Sequence, residues 1–168
     1  DDVLIGGDGN DTIIGGIGRD LINGGEGNDD LYGGELLTPE DNERDFFTWG
    51  AGSADGCTDT VYGFNNQIDT LDLSDVLINE ENGNLEDFLS FSFSGGDTTI
   101  TIDVDGLGAG TDSVMIVLDG VDLSSIYGSS DASVIISQLI NDEALIADPN
   151  TTPFIPPYNQ LDDGLNPP

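Results

Sequence analysis

Aspartate recurs at every ninth position near the start of the chain, at Asp2, Asp11, Asp20 and Asp29. Three glycines stand in the turn before each of the last three. Glycine adopts positive φ at little cost, so such turns can aim several carbonyl oxygens at one point. Ca²⁺ takes about six to eight oxygen ligands, whereas zinc and copper prefer nitrogen or sulfur. The pattern therefore predicts sites for several calcium ions.

The repeated unit is nine residues long and reads G-G-x-G-x-D-x-U-x, where U is apolar. Complete copies cover residues 6–14, 15–23 and 24–32, and residues 2–5 fit the last four positions of an earlier copy. The three residues after each aspartate should form a short strand whose middle side chain points inward. We expect an inward column made of Leu4, Ile13, Ile22, Leu31, Phe47 and Val61.

Beyond residue 32 the repeat becomes irregular. A further copy begins at Gly33, is interrupted, and resumes its Asp-x-apolar phrase at Asp45, and a longer echo ends at Asp59. One column of inward side chains is a small core for a chain so rich in glycine, which is costly to order. We therefore predict that the repeats are unfolded without calcium and folded with it.

Composition restricts the function. The formal net charge is -32, from 34 acidic residues against two arginines, and the chain has no histidine. This charge repels nucleic acids and anionic membranes, and the lack of histidine removes most familiar catalytic arrangements, so we predict a non-enzymatic protein. No apolar run is long enough to span a membrane. Because the chain starts inside a repeat, we expect a monomeric segment of a larger protein.

Three regions are predicted. Alternating apolar and polar residues indicate antiparallel strands at 89–94, 99–105 and 113–123. A short helix should follow Asp131, with Ile135, Leu139 and Ile140 facing inward. Six of the seven prolines lie near the end of the chain and predict an extended or disordered tail. The expected boundaries are 1–64 for the calcium-binding region, 65–147 for the β-rich module and 148–168 for the tail.

Two further groups of carboxylates leave alternatives open. The spacing of Asp103, Asp105 and Asp112 fits either another calcium loop or a solvated hairpin turn. Asp69 and Asp72 could form an acid–base pair, or they could occupy the outward face of a half-buried strand.

The aromatic residues Phe46, Phe47 and Trp49 also have two interpretations. They could line a sugar-binding site, or they could close the end of a repeat array. Cys57 cannot form an internal disulfide because it is the only cysteine of the chain. Its acidic neighbours disfavour a reactive thiolate.

The nonapeptide of residues 2–32 resembles the calcium-binding repeat of RTX proteins. The resemblance implies a mainly β fold, with a right-handed parallel β-roll followed by an antiparallel β module and a short C-terminal helix. Each ion would lie between equivalent loops two repeats apart, held by carbonyls and by the aspartate at position six. The implied ligands are Asp2, Gly6, Gly7, Asp8, Gly9, Asp11, Gly15, Gly16, Ile17, Gly18, Asp20, Gly24, Gly25, Glu26, Gly27, Asp29, Gly33, Glu35, Asp45 and Asp59.

The same resemblance implies which aspartates share an ion. One loop would supply the carbonyls of positions two and four, and the other loop those of positions one and three. Roughly three to five ions follow from this arrangement. The implied pairs are Asp2 with Asp20, Asp11 with Asp29, Asp20 with Asp45, and Asp29 with Asp59.

Residues 59–77, the phrase ITIDVDG and the following helix resemble the C-terminal target domain of RTX adhesins exported by type I secretion. This resemblance implies a secreted, cell-surface segment of a giant Gram-negative adhesin, with the type I apparatus as its partner. An ice-binding adhesin is one option, although position seven reads Val3, Thr12, Leu21 and Asp30 and lacks a regular array for ice. The alternatives are a glycan- or protein-binding adhesive module, or the accessory domain of a secreted protease or lipase.

Overall fold

Strands dominate the fold. The computed structural model describes residues 1–39, 42–50, 53, 56–77, 85–104 and 113–147. The first seven strands alternate between two sheets, sheet A and sheet B, along the chain. Each nonapeptide supplies one strand and one turn, so the chain crosses from one sheet to the other at every repeat. The expected mainly β class with a parallel β-roll is confirmed.

Sheet A is parallel throughout and has the order β1-β3-β5-β7-β11. Residues 18 positions apart pair in the regular part, as Leu4 does with Ile22. The register therefore follows two nonapeptides per turn. The strands are β1 (Val3–Asp8), β3 (Leu21–Glu26), β5 (Phe46–Thr48), β7 (Thr70–Asp72) and β11 (Leu145–Ile146).

Sheet B has the order β2-β4-β6-β10-β9-β8 and changes from parallel to antiparallel pairing across its width. Its first four strands are parallel, and its last three form an antiparallel meander. The parallel pairing of β10 with β6 joins the roll to the meander. The strands are β2 (Thr12–Ile14), β4 (Asp30–Tyr32), β6 (Thr58–Tyr62), β8 (Leu89–Ser94), β9 (Asp97–Asp103) and β10 (Ser113–Asp119).

Two helices and a 3₁₀ turn, Leu85–Asp87, complete the described fold. Helix α1 (Leu123–Tyr127) occupies the end of a stretch expected to be one strand, because Gly120 turns the chain at φ +72° after β10. Helix α2 (Ala132–Asn141) begins as expected at Asp131, whose carboxylate accepts the N–H groups of Ser133 and Val134. No described helix is long and apolar enough to cross a membrane.

The helix packing differs from the prediction at one position. Ile135 and Leu139 are buried as expected, but Ile140 is exposed, and Ile136 is buried in its place. The expected inward position of Ile140 is wrong because Ile136, one turn earlier, lies on the face that meets the core. The hydroxyl of Tyr127 donates to Oδ2 of Asp142 at 2.9 Å and fixes the two helices together.

One continuous core links the expected regions. The predicted inward column is buried from Ile13 to Val61, while Leu4 at the end of the roll is partly buried. Buried side chains continue from this column through both sheets to Ala147. Sheet A crosses residue 64 by adding β7 and then β11, so the proposed division at 64 separates regions that share a sheet. The expected tail, 148–168, lies outside the described residues.

Truncation of the inward column should be costly. Leu31 is fully buried, so Leu31→Ala is expected to lower the free energy of unfolding by about 2 to 5 kcal/mol. Ile5, with 72% of its surface exposed, provides a control of similar size, and Ile5→Ala should change stability by no more than about 0.5 kcal/mol. Denaturant unfolding of the calcium-saturated chain measures both. Equal losses would contradict the predicted column.

Candidate metal centre

The position-six aspartates form two ladders, one at each side of the roll. In the first ladder, the backbone N–H of Asp11 donates to Oδ1 of Asp29 at 2.9 Å, and the N–H of Asp29 donates to Oδ1 of Asp59 at 3.0 Å. Each rung thus joins two turns that are neighbours along the roll. Only one oxygen of each carboxylate is needed for this bond, which leaves the other oxygen for a second partner.

The second ladder has four members, Asp2, Asp20, Asp45 and Asp69. The backbone N–H of each of the first three donates to Oδ1 of the next, at 2.6, 2.9 and 3.1 Å. All four of the aspartate pairs implied by the sequence are therefore in contact across the two ladders. Their role as calcium ligands stays a prediction.

Asp69 was missed as a ladder member, and its interpretation as an outward-facing residue is wrong. Both Asp69 and Asp72 are buried, at 4% and 8% exposure. Asp69 precedes Thr70 and Leu71 in the same Asp-x-apolar phrase as the repeats, which is the signal that could have identified it. Asp72 has a different role, because its Oδ1 accepts the N–H and hydroxyl of Ser74.

The second carboxylate oxygen is aimed at the glycine of position one. Within the part of the chain described, Oδ2 of Asp11 is buried and accepts no hydrogen bond, and Oδ2 of Asp20 and Asp29 is buried in the same way. A Cβ built on Gly6 would lie 2.6 Å from Oδ2 of Asp11 and would also collide with the carbonyl oxygen of Gly24. Position one is glycine because a methyl group would fill the space that these two oxygens face.

The same cradle recurs at the other side of the roll. A Cβ on Gly15 would lie 2.6 Å from Oδ2 of Asp20 and would collide with the carbonyl oxygen of Gly33. Carboxylate and carbonyl oxygens are the donors that Ca²⁺ prefers, so both cradles fit this ion. The described residues contain no cluster of three or more carboxylate or thiol side chains, in keeping with sites that use backbone oxygens.

The turns owe their shape to positions two and four. Gly7 and Gly9 have φ of +107° and +110°, a region that other residues rarely adopt, and the next two turns repeat this pattern. Side chains at position three face solvent, as Ile17 does with 78% exposure. Residues at this position would therefore contribute backbone carbonyls. The position-three carbonyl oxygen of Glu26 also accepts the N–H of Gly9 at 2.8 Å. The second lone pair of this oxygen is left for another partner.

The fourth turn departs from the repeat. Gly33 keeps its place beside Oδ2 of Asp45, but the N–H of Gly34 donates to the carbonyl of Pro39, and Glu35 forms a bridge with Thr38. The cradle on this side therefore retains its position-one glycine and its aspartate, with a longer loop between them.

The other sequence candidates do not form the sites proposed for them within the described residues. Phe47 and Trp49 are each 1% exposed and belong to the core, so they offer no surface to a sugar, and the sugar-site interpretation is wrong. The proposed loop between Asp103 and Asp112 lies mostly outside the described residues.

The charge balance of the chain favours the binding of an external cation. Its 34 acidic residues face only two arginines, and Arg44 pairs with the exposed Glu143 at 3.1 Å. Side chains of this protein cannot neutralise the carboxylates buried in the ladders. Burying several like charges without compensation is unfavourable, so the ladders favour a bound divalent cation.

Comparison with known families agrees with this geometry. The family model of the RTX calcium-binding nonapeptide repeat (4 copies) matches residues 5–35. These residues are RTX calcium-binding repeats. RTX repeats bind several calcium ions per repeat domain, so calcium is the cofactor of this region. No curated protein matches the chain.

One solved structure shows the same fold. The AlgE6R2 subunit of the mannuronan C5-epimerase from Azotobacter vinelandii is similar to this chain, with a TM-score of 0.54 and 22% identity. The similarity covers 91% of this chain and 90% of that chain. The AlgE6R3 subunit of the same enzyme covers 68% of this chain and 73% of its own length, with a TM-score of 0.29 and 20% identity. The first of these similarities supports the RTX β-roll architecture.

Proposed function

We propose that this chain is a non-enzymatic module whose calcium-dependent folding accompanies type I secretion of a larger extracellular protein. The observation that supports this most directly is the pair of carboxylate ladders, in which five of the seven aspartates are buried, in a chain with a net charge of -32. Such a chain resists folding where calcium is scarce and folds where calcium is plentiful. The adhesin assignment and the cell-surface location belong to this proposal.

The proposed ligand sets follow from the cradles. Asp11 and Asp29, with carbonyls of turns 6–9 and 24–27, would hold an ion on one side of the roll. Asp20 and Asp45, with carbonyls of turns 15–18 and 33–35, would hold an ion on the other. Bound calcium supplies the positive charge that allows the carboxylates of neighbouring turns to face each other.

The chain's own residues provide the switch. In the cytosol, where calcium is scarce, repulsion among the ladder carboxylates keeps the repeats unfolded and able to thread through a narrow channel. Extracellular calcium sites commonly have dissociation constants of about 10⁻⁴ to 10⁻³ M, which suits folding only outside the cell. A turn that has folded outside cannot return, so folding favours outward movement.

Export of a fused passenger tests the proposal. The full chain is placed after an unfolded passenger in a Gram-negative host with a type I exporter, and the secreted passenger is measured with and without calcium in the medium. We expect chelation to lower secretion severalfold, and the double variant Asp11→Asn/Asp29→Asn to show low secretion at either calcium level. The same secretion in all conditions would reject the proposed coupling.

A matched control separates charge from calcium binding. Asp75 and Asp119 are both exposed and lie outside the ladders and their turns, so Asp75→Asn/Asp119→Asn removes the same charge and should secrete like the parent. A fusion with residues 33–168 alone locates the export signal.

The adhesive and enzyme-accessory alternatives keep the calcium-dependent fold, but they predict no export by the isolated chain.

A further inference from the structure

Trp49 makes a contact that distinguishes Asp59 from the aspartates before it in the first ladder. Trp49 follows β5 directly and is 1% exposed. Its indole N–H donates to Oδ2 of Asp59 at 2.7 Å. An indole N–H can only donate, so this bond gives a buried tryptophan the acceptor it needs.

The contact falls on the oxygen that faces the cradle in the regular repeats. Asp59 uses Oδ1 as Asp29 does, accepting the N–H of the preceding ladder member, here Asp29 at 3.0 Å. In Asp11, the corresponding Oδ2 is buried without a hydrogen-bond donor among the described residues. The indole N–H of Trp49 thus contacts on Asp59 the same oxygen that lacks a donor on Asp11.

The second ladder ends in an equivalent way. Oδ1 of Asp69 accepts the N–H of Asp45 at 3.1 Å, as in the earlier rungs, while Oδ2 accepts the N–H of Asn65 at 2.8 Å. The last aspartate of each ladder therefore has both oxygens engaged by N–H groups of the chain. Two N–H donors stabilise a buried carboxylate without any metal.

We infer that Trp49 is the positioning residue that ends the first ladder, so that Asp59 is a hydrogen-bonded end cap and not a calcium ligand. This inference rests on the calcium sites proposed above, and it removes Asp59 from the set of calcium ligands. In the first ladder the cradle between turns 6–11 and 24–29 takes an ion, whereas the step from Asp29 to Asp59 takes none. Asp59 and Asp69 then hold the last turns in place without calcium.

Ion counting by native mass spectrometry tests the inference on the full chain. Asp29→Asn and Asp59→Asn make the same chemical change at two buried positions in one ladder, at 1% and 3% exposure. We expect Asp29→Asn to lose at least one bound calcium and Asp59→Asn to keep the parent count. Loss of an ion by Asp59→Asn would overturn the inference.

A second measurement decides the matter if Asp59→Asn fails to fold. Trp49 is the only tryptophan, so its indole N–H gives one signal in ¹H–¹⁵N spectra. With calcium saturated, the inference predicts slow hydrogen exchange of this proton, since the bond to Asp59 persists. Fast exchange with calcium bound would show that an ion has displaced the indole.

The outcomes also separate this inference from the proposed function. A parent chain that binds no calcium would reject the proposed sites, whatever the state of the indole proton. A parent chain that binds calcium and keeps a protected indole proton supports both the proposed calcium sites and the end-cap role of Asp59.

Discussion

Removal of calcium is expected to lower the melting temperature of the chain by at least about 10 to 20 °C, enough to leave the repeats unfolded at the temperature at which the cell grows. Two cradles, each filled at roughly 100 times its dissociation constant, stabilise the folded state by about 5 kcal/mol together. In a chain of this size, about 1 kcal/mol corresponds to roughly 2 to 4 °C. Circular dichroism melts in about 10 mM calcium and in excess chelator measure the shift.

Two controls make this result specific. A chain with a net charge of -32 gains stability from any salt, so the chelated sample should contain sodium chloride at matched ionic strength. Magnesium at the same concentration should restore little, because it demands a tighter octahedral site than these turns offer. Identical melts in calcium and in chelator would show that the cradles do not hold an ion.

A methyl group placed in a cradle should have the second large effect. A Cβ on Gly24 would collide with Oδ2 of Asp29 and lie 2.8 Å from its Cγ. We expect Gly24→Ala to weaken calcium binding at least about tenfold, or 1.4 kcal/mol, because the displaced carboxylate is a proposed ligand. Overpacking should lower the free energy of unfolding by a further amount of about 1 to 3 kcal/mol. Calorimetric calcium titration and denaturant unfolding measure these two effects.

Gly50 supplies the matched control. Among the described residues, a Cβ on Gly50 meets nothing within 4 Å, and neither Gly24 nor Gly50 has the left-handed φ that would strain an alanine. Gly50→Ala should therefore leave calcium affinity unchanged and shift stability by less than about 0.5 kcal/mol. If both variants bind calcium like the parent, the position-one glycine does not border the site.

The regular part of the roll could be predicted from sequence because local rules determine it. A period of nine residues places Ile13, Ile22 and Leu31 on one inward column, and all three are buried. The same period brings Asp11 and Asp29 together across neighbouring turns. No long-range information is needed for these contacts, since each turn repeats the one before it.

Asp69 shows where this reasoning fails. Ladder neighbours are 18 residues apart in the regular repeats, but 25 separate Asp20 from Asp45, and 24 separate Asp45 from Asp69. Irregular loops absorb the difference while the strands stay in register. Only the Asp-Thr-Leu phrase remains as a signal, and an alternating strand has a similar pattern.

The sequence patterns also did not predict contacts between segments that are far apart along the chain. The parallel pairing of β10 with β6, and that of β11 with β7, join segments whose residues show no shared spacing. The indole bond of Trp49 to Asp59 joins residues 10 positions apart, a spacing that follows no repeat. Such pairings depend on how the whole core closes, which a local pattern does not encode.

The two edge strands of sheet A differ in their tendency to pair with strands of other molecules. At one edge, β11 is two residues long, and short edge strands resist pairing with other molecules. At the other edge, β1 is six residues long and exposes Val3 and Ile5, so in the isolated chain its backbone can pair with a further strand, such as that of a preceding repeat or of another copy. Mutual repulsion of the acidic surfaces keeps copies apart at neutral pH. Acidification of the isolated chain removes this protection, and self-association is then expected to begin at β1.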